Sequence, residues 1–373
     1  MKAWPVLGIL IVQTSLCLAH WFMYVTWIDF WWPVSPPAAF ALRIALAVLS
    51  ASFIVAALLS FRFSNPIVRL VYWFAAVWLG ISNFLFVAAW LAWLVDFMLR
   101  LVLPGGVHFA ARPYSAGILL IAAIASAIYG LLNARHIRQR RATVRLPNLP
   151  TSWRGRTALL ISDMHLGHIN GASFSCRIAA MARRLDPAII FIAGDLYDGS
   201  RIDPNKLAAP LFELSPPFGV FFVGGNHEQF GGAIHYENAL RSAGIRVLHN
   251  DRTVVDGLQI VGVPYGLSTY PLQLRAFLES LNLKDGPASI LLNHVPSRLP
   301  VAEHAGISLQ LSGHTHGGQI FPFSLITRRA FGKFTYGLQR FGDMQVYTSS
   351  GAGTWGPPMR VGTHPEIVLL TFE

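Results

Sequence analysis

The sequence predicts two parts of different fold class, an N-terminal bundle of membrane-spanning helices and a C-terminal layered α/β domain. The chain has 373 residues and is 53% hydrophobic but only 13% charged, whereas soluble domains contain about 25% charged residues. Long uncharged runs occupy the first part, and short apolar runs alternate with helical patterns in the second. We therefore assign residues 1–141 to a transmembrane region of about four helices, 142–156 to a linker and 157–373 to the α/β domain.

Charge is distributed unevenly between these parts. Residues 1–141 contain 10 Lys and Arg against 2 Asp and Glu, and residues 142–373 contain 19 against 16. Nucleic-acid binding would need basic residues clustered on the soluble part, so we expect no nucleic-acid partner. The two cysteines, Cys17 and Cys176, are too few for a disulfide framework and fit a reducing compartment.

Four uncharged runs are each long enough to cross the roughly 30 Å hydrocarbon core of a bilayer. They are bounded by Lys2 and Asp29, Arg43 and Arg62, Arg69 and Asp96, and Arg112 and Arg135. A cleaved signal peptide is the alternative for the first run, but its length and the three later runs favour an anchor. The run interiors contain almost no ionisable residues, which favours an anchor over a channel or carrier. Aromatic residues crowd the presumed interfaces as a belt would, for example Trp21, Tyr24, Trp27, Trp31 and Trp32.

The basic residues predict the orientation of the helices. With the N-terminus inside, seven of them fall on the cytoplasmic side, namely Lys2, Arg62, Arg69, Arg135, Arg138, Arg140 and Arg141. The positive-inside rule then predicts an integral membrane protein with its α/β domain in the cytoplasm. The basic stretch at 134–141 is typical of a juxtamembrane segment that attracts anionic lipid.

Five predicted strands each run directly into residues that can bind a metal ion. They are TALLIS before Asp163 and His165, AIIFIAG before Asp195, GVFFVGG before Asn226 and His227, SILLN before His294, and ISLQLSG before His314 and His316. One such residue after a strand is ordinarily a turn or a helix cap. Five consecutive strand ends of this kind indicate one site beyond the carboxyl ends of the strands.

The types of these residues predict the chemistry of the site. Imidazole, carboxylate and amide donors without thiolates suit manganese, iron or zinc and do not suit a structural zinc site. Seven candidate ligands exceed the needs of one ion, so we expect two divalent ions, manganese first and iron or zinc as alternatives. Two such ions roughly 3.5–4 Å apart activate water and promote the hydrolysis of phosphate esters.

The motif series DMH…GDLYDG…GNHE…NH…GHTHGGQ resembles the calcineurin-like metallophosphoesterase superfamily over roughly residues 157–373. Within it, the chain is similar to a bacterial branch that has an N-terminal membrane region and the GHTHGGQ signature. The resemblance implies a layered α-β-β-α sandwich and a hydrolase that acts on phosphorus esters. It also implies the metal ligands, which are Asp163, His165 and His316 at one ion, Asn226, His294 and His314 at the other, and Asp195 as the bridge.

The resemblance further implies that His227 stabilises the transition state or protonates the leaving oxygen, with a supporting role beside Asn226 as the alternative. The aromatic and basic segment 321–341 predicts a lip that touches lipid and binds phosphate through Arg328 and Arg329. A surface excursion packed on its own domain is the alternative for that segment. Arg360 is a further candidate for phosphate binding, with a structural salt bridge as its alternative.

A site anchored to the membrane by the transmembrane region, with segment 321–341 beside it, predicts hydrolysis of a phosphodiester or pyrophosphate bond in a lipid-linked substrate. Some members of the resembled branch cleave the glycolipid UDP-2,3-diacylglucosamine in lipid A synthesis. The alternatives are a general phosphodiesterase or phosphatase on soluble nucleotides or monoesters, and a non-catalytic metal-binding membrane scaffold. The expected partners are the bilayer and a phosphoester substrate at the inner membrane of a bacterium. The sequence leaves the oligomeric state open.

Overall fold

The computed structural model describes residues 3–31, 33–103 and 105–373. Two residues used in the predictions above, Lys2 and Trp32, lie outside the described residues. The chain divides into two compact units. One unit comprises Met1–Leu132 and Gly356–Met359, and the other comprises Asn133–Trp355 and Arg360–Glu373.

The first unit is built from four long apolar helices, which confirms the predicted helix count. They are α1 (Ala3–Phe30), α2 (Pro36–Arg62), α3 (Pro66–Val102) and α4 (Gly105–Ala134). By length and composition, each contains a segment able to cross a membrane. Proline occupies the first turn of both α2 and α3, where its fixed φ favours the helix and no backbone N–H is required.

Hydrogen bonds between these helices satisfy several of their buried polar side chains. Asp96 of α3 accepts hydrogen bonds from Arg112 of α4 at 2.8 and 3.0 Å, and a further one at 2.9 Å from Arg100 of its own helix. Trp78 donates to His20 at 3.0 Å, joining α3 to α1. Because hydrocarbon offers no alternative partner, such bonds fix which helix faces meet.

The second unit contains two six-stranded sheets. In spatial order, the first sheet contains β1 (Arg138–Val144), β12 (Glu366–Phe372), β2 (Thr157–Ile161), β3 (Ile189–Ala193), β4 (Val220–Val223) and β5 (Arg246–Val247). The second contains β10 (Gly337–Phe341), β11 (Met344–Thr348), β9 (Leu309–Ser312), β8 (Ser289–Asn293), β7 (Leu258–Val263) and β6 (Asp251–Val255). The helices of the unit are α5 (Ala172–Leu185), α6 (Pro204–Phe212), α7 (Asn226–Gly231), α8 (Ala233–Ser242), α9 (Tyr265–Ser268), α10 (Pro271–Ser280), α11 (Leu299–His304) and α12 (Phe323–Phe331).

The two sheets pack face to face with helices on their outer faces. Alternate side chains of facing strands, such as Leu160, Phe191 and Leu292, form the core between the sheets. Their neighbours on the opposite face, such as Ile161 and Ile192, pack beneath helices α5, α6 and α8. Successive side chains of a strand thus point to two opposite faces that are both apolar, as expected for a sheet buried on both sides. It confirms the predicted α-β-β-α sandwich.

The structure corrects the predicted boundary between the two parts. Residues 138–144, assigned to the basic juxtamembrane segment and the linker, form β1, which pairs in parallel with β12 from Arg138–Glu366 to Val144–Phe372. Trp153, also within the predicted linker, is fully buried in the core between the sheets. Strand pairing uses main-chain groups, so an edge strand can carry charged side chains on its exposed face. The predicted division at 141 and 156 therefore cuts through the sandwich.

Candidate metal centre

The residues predicted from the strand ends follow strands whose carboxyl ends share an edge of each sheet. Strands β2, β3 and β4 are parallel neighbours, and they deliver Asp163 and His165, Asp195, and Asn226. In the second sheet β8 and β9 are parallel neighbours, and they deliver His294 and the pair His314 and His316.

One half of the resulting cluster contains Asp163, His165 and His316. Ligand atoms of these three buried residues all lie within 4.8 Å of one another. His165 Nε2 lies 3.0 Å from His316 Nε2, and His316 Nε2 lies 3.4 Å from Asp163 Oδ1. Residues 151 positions apart thus face one small volume.

The other half contains Asn226, His294 and His314. His314 Nδ1 lies 3.0 Å from Asn226 Oδ1, so the two candidate ligand atoms point at the same space. His294 and His314 form a second three-residue group with Asp195, again with ligand atoms within 4.8 Å.

Asp195 connects the two halves. Its Oδ2 lies 3.0 Å from His294 Nε2 and 4.0 Å from His165 Nε2, and its Oδ1 accepts a hydrogen bond from the backbone N–H of His227 at 2.9 Å. Asp195 also forms a three-residue group with His165 and His227. A single carboxylate therefore faces ligand candidates from both sheets.

Hydrogen bonds to backbone carbonyls fix the tautomers of two histidines. His294 Nδ1 donates to the carbonyl of Ala193 at 2.7 Å, and His227 Nδ1 donates to the carbonyl of Asp198 at 2.8 Å. Because Nδ1 carries the proton in each ring, Nε2 is left to face the cluster with its lone pair when the ring is neutral.

The backbone of the cluster is strained where these side chains converge. Five candidate ligands have φ between 47° and 70°, and they are Asp163, His165, Asp195, His314 and His316. Residues with a β-carbon rarely adopt this region, which costs about 1–3 kcal/mol for each residue and is found mainly at functional sites.

Glycines provide the close approach that the cluster requires. A β-carbon at Gly313 would lie 2.1 Å from Asp163 Oδ2, and one at Gly225 would lie 2.2 Å from Asp195 Oδ1. Gly313 of the GHTHGGQ stretch therefore leaves room for the side chain of Asp163, a candidate ligand that follows another strand.

Burial and mutual charge set the protonation of the protein groups. Burial raises the pKa of Asp163 to about 6, opposed by the charge of His294 and assisted by that of Asp195. Burial lowers the pKa of His294, but the Asp195 and Asp163 carboxylates outweigh it and raise the value to about 10. Burial also lowers the pKa of His165 and His316, and that of His314 to about 4. Most of the imidazoles are thus neutral at pH 7, the form that binds a metal ion.

Glu228 belongs to the site although sequence reasoning did not single it out. It is fully buried, and its Oε2 accepts hydrogen bonds from the N–H groups of Gly225 and Asp195 at 2.7 and 3.0 Å. Its Oε1 accepts from the N–H of Tyr197 at 2.9 Å. Burial raises its pKa to about 7. Its position directly after His227 in GNHE was the available signal, since a glutamate in the first turn of a helix can accept backbone N–H groups.

The structure corrects the interpretation of Arg360 as a phosphate-binding residue. Its side chain is fully buried, and its guanidinium donates to the carbonyls of His316, Ser350 and Gly353 at 2.8, 2.7 and 2.6 Å. Burial lowers its pKa to about 10. Its strongest contacts are carbonyls, so the alternative of a structural salt bridge does not describe it either. Arg360 holds the loop that carries His316.

The other two predicted phosphate-binding residues, Arg328 and Arg329, lie in the last turn of α12 and are exposed. Helix α12 has no buried residue, and Phe323, Leu325 and Ile326 expose between 51% and 64% of their surface.

Three aromatic rings lie beside histidines of the cluster. Phe331 and Tyr265 lie 6.1 and 6.4 Å from the His314 ring, and Trp355 lies 5.8 Å from the His227 ring.

Comparison with known proteins identifies the family. The model for calcineurin-like phosphoesterases matches residues 156–318. An uncharacterized metallophosphoesterase of Aquifex aeolicus is 30% identical over 250 residues, which are 66% of this chain and 95% of that protein. The chain belongs to the calcineurin-like metallophosphoesterase family.

Two other relatives of this metallophosphoesterase are longer proteins. A Danio rerio transmembrane protein with a metallophosphoesterase domain is 33% identical over 273 residues, which are 68% of this chain and 62% of that protein. An uncharacterized metallophosphoesterase of Campylobacter jejuni is 33% identical over 236 residues, which are 62% of each chain. The chain thus spans about 62% of the length of these two relatives.

The family implies divalent metal ions, and the residues of this metallophosphoesterase fit them. The donors are imidazole nitrogens and carboxylate and amide oxygens, the set that suits manganese, iron or zinc. His165 and His316 are buried with their Nε2 atoms 3.0 Å apart, and burial lowers the pKa of both rings. Buried neutral imidazole nitrogens that converge beside a carboxylate are satisfied when they coordinate an ion.

Proposed function

We propose that the chain is a membrane-anchored phosphoesterase that depends on two divalent ions and hydrolyses a phosphodiester or pyrophosphate bond. The observation that carries the proposal is the position of Asp195, whose carboxylate is shared by ligand candidates from both sheets. Manganese is the first candidate ion, with iron or zinc as alternatives.

In this proposal Asp163, His165 and His316 hold one ion. Asn226, His294 and His314 hold the other, and Asp195 bridges them. The two ions, when bound, would polarise the phosphoryl oxygens, lower the pKa of water and neutralise charge in the transition state.

The chain's own residues prepare the site in three ways. Glu228 fixes the backbone around Asp195 and Gly225 through three N–H groups. Arg360 fixes the carbonyl of His316. The carbonyls of Ala193 and Asp198 orient His294 and His227, so the groups are placed before substrate binds.

His227 is the proposed proton donor to the leaving oxygen. Its ring stands edge-on to His165 with 4.7 Å between ring centroids, and it is half-buried. Because Nδ1 is engaged with Asp198, only Nε2 can exchange a proton with substrate.

The proposed substrate is lipid-linked, in the class of UDP-2,3-diacylglucosamine. Support comes from the exposed apolar side chains of α12, from Phe331 of the same helix beside His314, and from the four membrane-length helices. An apolar helix next to a hydrolytic site gives acyl chains a surface to follow. Arg328 and Arg329 at its end remain the predicted contacts to the phosphate groups of such a lipid.

We further propose that the chain belongs to the bacterial branch with the GHTHGGQ stretch at 313–319. The hydrolytic domain would then face the cytoplasm from the inner membrane.

The test compares two substrates with detergent-purified protein and added Mn²⁺. Bis-p-nitrophenyl phosphate reports the metal-dependent reaction alone, and UDP-2,3-diacylglucosamine reports the lipid assignment. We expect cleavage of both. His227→Ala should lower the rate by about 10²–10⁴-fold and leave the bound metal, measured by elemental analysis, at the wild-type amount.

Each other outcome removes a defined part of the proposal. Cleavage of the generic diester alone would keep the metal-dependent reaction and favour a general phosphodiesterase on soluble substrates. Cleavage of neither substrate with any divalent ion would favour a non-catalytic scaffold. Loss of metal in His227→Ala would make His227 a ligand or a support residue.

A further inference from the structure

A cavity in the second unit, which contains the metal centre and is called the hydrolytic unit below, is lined by basic side chains. It has a volume of about 520 Å³, and we call it the cationic cavity. Its charged and titratable lining residues are Arg140, Arg328, Lys333, Tyr336 and His364. Gly317, Gly332, Thr335, Ser350, Gly362 and Thr363 complete the wall.

The charged side chains that line this cavity are all positive. No Asp or Glu lines it in the part of the chain that the structure describes. The carboxylate of Glu366 contacts two of the lining residues: it is 1% exposed, accepts a hydrogen bond from Tyr336 at 2.8 Å and lies 3.9 Å from Arg140 Nε. Burial raises the pKa of Glu366. The cavity is thus lined by three cations, Arg140, Arg328 and Lys333, of which only Arg140 lies beside this acid, and it favours an anion.

The hydroxyl groups of the wall are engaged with protein carbonyls. Ser350 donates to His364 at 2.6 Å, Thr363 to Gln319 at 3.1 Å and Thr335 to Gly332 at 2.8 Å. The groups that remain for a ligand are the cationic side chains. An anion with several acceptor oxygens, such as a phosphate group, fits such a set.

The end of the last membrane-length helix is joined to the wall of the cavity. Asn133, the penultimate residue of α4, accepts a hydrogen bond from His364 Nδ1 at 2.9 Å and donates to the carbonyl of Thr363 at 2.9 Å. Arg140 lies on β1, six positions after the last residue of α4. All of these residues belong to the hydrolytic unit. The segment that leaves α4 is thus hydrogen-bonded to the cavity wall within this unit.

The neighbouring helix supplies an apolar surface. Arg328 lines the cavity from the last turn of α12, the helix that exposes Phe323, Leu325 and Ile326. A ligand that combines a phosphate group with acyl chains matches both the cavity and this helix.

We propose that the cationic cavity binds the phosphate group of an anionic membrane lipid. None of the candidate metal ligands lines the cavity, and lipid binding there does not require hydrolysis. Arg328 and α12 are shared with the contacts proposed for the lipid substrate, whereas Arg140 and Lys333 belong to this cavity alone. Arg140, Arg328 and Lys333 bind the phosphate oxygens, and the apolar side chains of α12 contact the acyl chains.

The experiment counts lipid molecules bound to the full-length protein in detergent by native mass spectrometry. Phosphatidylglycerol is the anionic probe and phosphatidylcholine the zwitterionic one. The double variant Arg140→Gln with Lys333→Gln should weaken phosphatidylglycerol binding roughly tenfold and leave phosphatidylcholine binding unchanged. Hydrolysis of bis-p-nitrophenyl phosphate by this variant should stay within about twofold of wild type, since neither residue belongs to the metal centre.

The matched control is Arg141→Gln with Arg340→Gln, which removes the same charge outside the cavity. Arg141 follows Arg140 on β1, and successive side chains of a strand point to opposite sides. Equal weakening in both double variants would overturn the proposal, because net charge alone would then explain lipid binding. Unchanged binding in the cavity variant would also overturn it.

A second arm separates the two sources of a phosphate group. Inorganic phosphate at millimolar concentration should not displace the bound phosphatidylglycerol. If phosphate displaces it and binds with the same dependence on Arg140 and Lys333, the cavity is a free-anion site and the lipid assignment fails. If the wild-type protein does not hydrolyse the diester, the proposed function is overturned, and the lipid-binding result is unaffected.

Discussion

At the scale of single residues, the candidate metal centre depends on acceptors and donors that hold its candidate ligands in place. Glu228 is the clearest case, because both of its oxygens accept backbone N–H groups on either side of Asp195. Arg360 has the complementary role, donating to several carbonyls around His316. Such groups are expensive to replace, since a buried donor or acceptor without a partner costs about 1–3 kcal/mol.

Glu228→Gln tests this role. The amide keeps one acceptor oxygen but turns an N–H₂ donor toward backbone N–H donors, so we expect a loss of about 2 kcal/mol in the free energy of unfolding. Chemical denaturation in detergent measures it. Glu213→Gln is the control, because Glu213 is 71% exposed and pairs with Arg183 at the surface, where ion pairs contribute little. Similar losses in both variants would show that Glu228 has no special structural role.

At the residue scale, sequence reasoning found candidate ligands that the structure brings together, and it missed the residues that support them. Asp195 and His294 are visible in the sequence because each ends a strand with a metal-binding side chain. The support given by Glu228 is only partly visible there, since GNHE predicts an acceptor in a first helical turn but not its main-chain partners at Asp195 and Tyr197. The burial of Arg360 could not be read either, because a guanidinium that binds carbonyls and one that binds phosphate look alike in sequence.

At the scale of elements, the turn between β4 and α7 shows how the lack of a side chain leaves room for a candidate metal ligand. Gly224 and Gly225 are adjacent, but a β-carbon would meet different surroundings at the two positions. At Gly225 it would lie 2.2 Å from Asp195 Oδ1, and at Gly224 the nearest atom would be the Glu228 β-carbon at 3.9 Å.

This pair gives a matched prediction. Gly225→Ala should displace the Asp195 carboxylate and reduce both bound metal and diester hydrolysis by at least about tenfold, because ligand positions tolerate little displacement. Gly224→Ala should keep both near wild type. Elemental analysis and the rate with bis-p-nitrophenyl phosphate are the two measurements. Normal metal content in Gly225→Ala would show that the turn can shift without loss of the centre.

The predictions of secondary structure were most accurate for strands whose side chains alone indicate their position in a sheet. Strands β3 and β8 are uniformly buried, and their continuous apolar runs read directly as interior parallel strands. Strand β1 could not be read in this way. Its sequence RQRRATV is mostly exposed and basic, so it resembles a lipid-facing segment, and only its pairing with β12 reveals its place.

At the scale of the whole molecule, the metal ions should contribute to stability as well as to activity. Asp163 and Asp195 are buried close enough for the charge of Asp195 to raise the pKa of Asp163. Bound cations would relieve that repulsion.

Chelation should therefore abolish hydrolysis and lower the temperature of unfolding, and added Mn²⁺ should restore both. Ligand binding stabilises the folded state by about 2.7 kcal/mol at a hundredfold excess over Kd. Differential scanning fluorimetry with and without Mn²⁺ gives the shift. Asp195→Asn is the informative control, because without the bridging carboxylate the shift should largely disappear. An equal shift in that variant would contradict the bridging role of Asp195.

The side of the membrane can be tested with the two free cysteines. Cys176 is exposed on α5, so in a Cys17→Ser background it is the single thiol. If the hydrolytic domain faces the cytoplasm, a membrane-impermeant maleimide should label it only after the cells are permeabilised. Labelling of intact cells would place the domain on the outer side and reverse the orientation drawn from the basic residues.

The edge position of β1 has a consequence for any attempt to isolate the hydrolytic domain. Strand β12 is a seven-residue strand whose residues are almost all buried, and β1 covers one of its sides through all seven register pairs. A chain started at residue 157 would leave that side bare, as an unpaired apolar edge that recruits strands from other molecules and leads to aggregation. A soluble form of the domain therefore has to keep β1 and be cut on the α4 side of Arg138.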